Sequence, residues 1–169
     1  MLQDEQPMER RVLAAHLAAH AVCAHLVGRA VRGISLEDET KQRPWEDTTP
    51  VAIRAGYLGE TGSQVRVEEG WLIGEGMILA AGMAADFMLT GSIDREGARD
   101  DLQQLDRFAA YVRTGAATWA IEVFGMAVDA VRGERVAVQE LANALLMHVE
   151  LDAKAVEAFL EEYCGGGAE

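Results

Sequence analysis

Residues 12 to 24 read V-L-A-A-H-L-A-A-H-A-V-C-A, and this stretch decides how the chain folds. It contains neither glycine nor proline and is strongly apolar, which predicts a helix. The helix opens at Pro7, a residue suited to a first turn, with Glu9 where a helix N-terminus favours an acid. Gly28 supplies the stop after about Val27. Val12, Leu13, His16, Leu17, His20 and Ala24 then share one broad face, and His25 turns to roughly the opposite side. His16 and His20 stand four residues apart, about one helical turn, so both imidazoles can grip one metal ion.

Beyond this helix the pattern becomes strand-like. Val31 to Leu36 and Val51 to Leu58 are short β-branched or apolar runs separated by a charged loop with Pro44 and Pro50. Gln64 to Val67 adds a third short run. From Glu69 the chain turns helical again. Glu69 to Leu89 predicts one long apolar helix containing Gly70, Gly74, Gly76 and Gly82, with Gly91 ending it. Glycine inside a helix costs about 1 kcal/mol against alanine. Four of them argue for close backbone packing, with the histidine helix as the neighbour. A loop from Ser92 to Arg99 leads to Asp100 as N-cap and a helix from Asp101 to about Arg113. Helices over Thr118 to Arg132, Arg135 to Val149 and Asp152 to Tyr163 complete a mainly α fold with a small β-sheet of two or three strands. The reading is one domain over 1–169, ordered from about 7 to 163, with a loose tail at 165–169.

The totals narrow the function. Fifteen basic against twenty-eight acidic residues give a formal charge of -13, which argues against nucleic acid and anionic membrane surfaces as partners. Cys23 and Cys164 lie far apart and outline no disulfide framework, so a cytoplasmic location is expected. No signal-type N-terminus appears, and His16, His20, His25, Glu75 and Asp86 interrupt the apolar runs, so no membrane span is expected. The 169 residues contain no G-x-x-x-x-G-K-[ST] loop, so no ATPase is expected within them.

The histidine pair sits in H-L-A-A-H, where a zinc peptidase would carry H-E-x-x-H. In that motif the glutamate takes a proton from zinc-bound water, and here its position is Leu17. Three stretches then occur in a telling order: H-L-A-A-H-A from His16 to Ala21, A-G-M-A-A-D-F-M-L-T-G from Ala81 to Gly91, and G-A-R-D-D-L from Gly97 to Leu102. A fourth, E-L-A-N-A-L-L-M-H-V-E-L-D, runs from Glu140 to Asp152. Together they resemble the C-terminal peptidase domain of the FtsH-type ATP-dependent zinc metalloproteases, whose stretches read H-E-A-G-H-A, G-G-R-A-A-E-E-L-x-F-G and T-G-A-S-N-D-L. The resemblance covers about His16 to Tyr163 and implies an FtsH peptidase-domain-like helical bundle. It implies zinc held by His16, His20 and Asp101, the last matching the aspartate of N-D-L. It also places Asp86 on the first acid of A-E-E, where a carboxylate can hold a ligand histidine by its other ring nitrogen.

The departures bear on activity. Leu17 replaces the base, Ala19 the glycine of the helix motif, Met83 the arginine and Phe87 the second acid. The long loop that the family carries beside its active site has no counterpart between Arg113 and Trp119. General-base catalysis typically contributes about 10²–10⁴-fold, and leucine transfers no proton. Glu68, Glu69, Glu75 and Asp100 are the carboxylates that could approach from elsewhere. The preferred reading is a proteolytically inactive, metalloprotease-like pseudoenzyme that binds a protein or peptide or regulates one. An active zinc peptidase with another base and a metal-free structural subunit stay open as alternatives. A homo-oligomer is compatible with the resemblance, since the family's peptidase domains assemble as rings. Read without the resemblance, His16 and His20 are packing histidines, Asp101 a first-turn acid, Asp86 a capping acid and Cys23 a small core residue.

Overall fold

A computed structural model describes residues 6–54 and 67–164. The histidine stretch forms helix α1, Met8–Leu26, flanked by Pro7 and Val27. Its alanines allow close approach of neighbouring backbones, and it packs most extensively against α3, Glu69–Thr90, and then α6, Arg135–His148. One broad apolar face understates what results. Residues 16 to 24 are all buried, because α1 is enclosed from more than one side. Ala14, Ala18, Ala19, Ala21 and Ala24 meet Ala80, Ala81, Ala84 and Ala85 in the same core.

Helix α3 ends where Gly91 takes a left-handed φ of 76° and its N–H bonds the Phe87 carbonyl. That conformation is open to glycine at little cost. Its internal glycines have separate causes. A Cβ on Gly82 would collide with the His16 ring, and one on Gly76 would lie 2.7 Å from Trp119 and 2.9 Å from Val123. Gly74 makes ordinary contact with Val27, and Gly70 meets nothing within 4 Å. Close packing on the histidine helix therefore explains Gly82, Gly76 serves α5, Ala116–Gly133, and packing requires glycine at neither position 70 nor 74. By length and composition α3 could cross a membrane, but 72% of its most apolar stretch is buried inside the protein.

Helix α4 spans Arg99–Ala109 and is preceded by Ala98, so Asp100 lies inside the first turn and is not the cap. It also ends earlier than the expected Arg113. The last helix, α7, spans Ala153–Tyr163, and Asp152 caps it by accepting from the Ala155 N–H at 2.8 Å. Cys164 follows directly and is buried, so it belongs to the core. The tail at 165–169 lies outside the described residues.

The β element has two strands, within the two or three expected, and they are shorter than the strand-like runs. Strand β1 is Ile34–Ser35, and its antiparallel partner is β2, Glu150–Leu151, from the turn between α6 and α7. An isolated bridge joins Val31 to Trp45. Val51–Arg54, expected as strand, is the short helix α2. Pro50 starts this turn, its carbonyl accepting from the N–H groups of Ile53 and Arg54. Residues 55–66, which include the rest of that run and most of Gln64 to Val67, lie outside the described residues. The fold is mainly α with a small two-stranded sheet.

Candidate metal centre

Three helices supply the centre. His16 and His20 come from the middle of α1, Asp86 and Ile78 from α3, and Asp101 from the first turn of α4. The two imidazoles meet edge to face, with ring centroids 4.7 Å apart. Each is anchored at Nδ1. His16 donates to Asp86 Oδ2 at 2.9 Å, and His20 donates to the Ile78 carbonyl at 2.7 Å. A carbonyl can only accept, so a His20 proton sits on Nδ1 and the ring is turned with Nε2 toward Asp101.

Both Nε2 atoms then converge on one oxygen. Asp101 Oδ2 lies 3.4 Å from His16 Nε2 and 3.2 Å from His20 Nε2. One ligand atom each from His16, His20 and Asp101 lie within 4.8 Å of one another. Three electron-rich atoms so placed repel unless a positive charge sits among them. A proton on His16 is one such charge. Burial works against the imidazolium, but hydrogen bonds and charge from Asp101 and Asp86 outweigh it and raise the His16 pKa to about 9. Asp101 responds in the opposite sense. Burial would raise it, but the charges and hydrogen bonds of His20 and His16 hold it below the ordinary carboxylate range.

A divalent cation is the other charge that fits. Two imidazole nitrogens and one carboxylate oxygen form the donor set of an open tetrahedral zinc site. The Nδ1 hydrogen bonds are the kind that fix tautomer and ring direction in such sites. Space is reserved as well, since only a residue without Cβ at position 82 admits the His16 ring. Asp86 is 3% exposed, and its Oδ1 has no hydrogen-bond partner, so it is not an exposed capping acid.

The base position is closed. Leu17 is 2% exposed and belongs to the core. Among the described residues the carboxylates paired with either imidazole are Asp86 and Asp101. Glu75 is turned to Arg43 and Trp45. Glu68 and Glu69 sit at the opposite end of α3 from Gly82. Asp100 is exposed beside Asp101 without a bond to the histidines. His25 is partly exposed and His148 exposed. Reading the sequence missed Trp45, whose ring is 5.1 Å from that of His20, and the role of the Ile78 carbonyl. No motif marks either one.

The fold is mainly helical and brings together a His/His/Asp cluster that could hold a metal ion. No family model matches the chain. The ATP-dependent zinc metalloprotease FtsH 2 of Sphaerobacter thermophilus is 27% identical over 179 residues, which cover 90% of this chain and 27% of that protein. The chain thus spans little more than a quarter of the relative's length, and the match supports a distant FtsH-family relationship.

Proposed function

We propose that this chain is an FtsH-peptidase-like domain that binds zinc through His16, His20 and Asp101, does not cleave peptides, and works by binding a protein or peptide. The supporting observation is the pairing of a complete ligand set with a closed base position. Both Nε2 atoms face Asp101, Leu17 is buried, and Asp86 and Asp101 are each turned to the imidazoles through Oδ2. Zinc would supply Lewis acidity and lower the pKa of a bound water to about 7. The chain's own residues orient the ligands: Asp86 aims His16, Ile78 aims His20, and α4 delivers Asp101. None of them offers a free base toward that water. Binding through a retained fold, without turnover, is the function left to such a site.

The test is a digest of unfolded casein by zinc-loaded protein. The proposal expects no chelator-sensitive cleavage by the natural chain and its appearance in Leu17→Glu. Cleavage by the natural chain that disappears with chelator and in Asp101→Ala would overturn the inactive reading and restore the peptidase.

A further inference from the structure

Glu75 is a buried carboxylate that the zinc centre does not use. It is 1% exposed and sits on α3 three residues before Ile78, so it shares a face with the residue whose carbonyl holds His20. Its Oε1 accepts from Trp45 Nε1 at 3.1 Å and from Arg43 at 3.0 Å, and Arg29 Nε lies 3.8 Å from its Oε2. Arg43 also stacks on the Trp45 ring at 4.8 Å. Burying a carboxylate costs several kcal/mol unless it is paired, so its presence in the α3 core needs a reason.

We infer that Glu75 is a positioning residue for His20, acting through the indole of Trp45. The Trp45 loop is fixed at its backbone: Arg32 N–H bonds the Pro44 carbonyl at 2.8 Å, and Glu46 N–H bonds the Ala30 carbonyl at 2.9 Å. Those bonds hold the loop, and burial of Trp45 at 2% exposure confines its ring to the core. The charge-assisted bond to Glu75 fixes the direction of the indole N–H edge within that space. The pinned ring then stands 5.1 Å from the His20 ring at a 35° tilt, as a wall. Ile78 fixes the proton of His20, and Trp45 limits the swing of its ring. One turn of α3 therefore restrains the imidazole in two independent ways. Arg43 and Arg29 set positive charge on both sides of the carboxylate.

This inference rests on the zinc reading and is tested on the whole chain with cobalt(II) as the probe, followed by absorption titration. Loss of a residue that orients a metal ligand typically costs about 10–100-fold in affinity. Glu75 is one residue further from the ion, so Glu75→Leu should weaken cobalt binding about tenfold and alter the d–d band. Glu75→Gln keeps an acceptor for the indole and should stay close to wild type in both. A purely structural role would lower thermal stability and leave the band unchanged at saturation. If Glu75→Leu does not fold, Trp45→Phe, which keeps a ring but has no N–H, takes its place with the same expectation. Wild-type affinity and band shape in the folded variant would overturn the inference. A wild type that binds no more cobalt than His20→Ala would instead sink the zinc reading. The His20 ring-proton shifts of the metal-free protein then decide: displaced by Glu75→Leu but not by Glu75→Gln supports the inference, and unmoved overturns it.

Discussion

The His16 imidazole lies where a Cβ on Gly82 would stand. Helix α3 gives up a side chain at this point so that a polar ring from α1 can enter the core. Gly82→Ala should therefore displace His16, lower stability by roughly 1–3 kcal/mol as an overpacked core residue does, and abolish tight metal binding. Gly125 is a control of opposite sign, since it lies exposed in α5 and a Cβ there meets nothing within 4 Å. Gly125→Ala should raise stability by up to about 1 kcal/mol. Denaturant unfolding of the two variants checks both signs.

Asp86 acts on the centre only through His16 Nδ1. Removing it should leave the ligand atoms in place but release the ring. Asp86→Ala is expected to weaken zinc binding by about 10–100-fold, as read by competition with a chromogenic chelator.

The metal-free protein should lose stability as the solution becomes alkaline. His16 titrates at about 9 when folded and at its ordinary 6.5 when unfolded. A raised folded pKa means that its contribution is complete below about pH 6.5 and disappears as pH rises through about 9. Asp101, depressed when folded, contributes above its ordinary value of 3.8 and loses that contribution on acidification. The denaturation midpoint of chelated protein should thus be lower at alkaline pH than near pH 6. Zinc must displace the His16 proton, so its binding near pH 7 should release about one proton and tighten toward pH 9. Calorimetry in buffers of different ionisation enthalpy measures that proton.

Asp152 caps α7 through a 2.8 Å bond to the Ala155 N–H. Its replacement by alanine should cost about 1 kcal/mol, detectable by thermal unfolding, without changing metal affinity.

Helices were the legible part of this fold, because their ends are marked by residues with few other uses. Pro7, Gly28 and Gly91 bracket α1 and α3 within a residue or two of the observed limits. The strands were not legible. Val51 and Ile53 carry β-branched side chains, but Pro50 sets a helical turn before any sheet partner is available. The true partner of Ile34–Ser35 is a dipeptide at Glu150–Leu151, a pairing too short and too distant in sequence to leave a pattern. The full burial of α1 was hidden as well, because alanines give no sign of which sides will be covered. At the centre, the juxtaposition of Asp101 with His16 and His20 was reached through the family resemblance, since nothing in the local sequence ties α4 to α1. Trp45 carried no signal and Glu75 stood out only as a carboxylate that could approach the centre, because a loop tryptophan and a helix glutamate form no motif until the chain brings them together.

The central claim is that His16, His20 and Asp101 hold one zinc ion. The most direct measurement is metal content of the purified chain after zinc loading and gel filtration, beside His20→Ala and Asp101→Ala prepared identically. One zinc per wild-type chain, lost in both variants, is the result this account predicts. A wild type without zinc, or variants that keep it in full, would contradict the account.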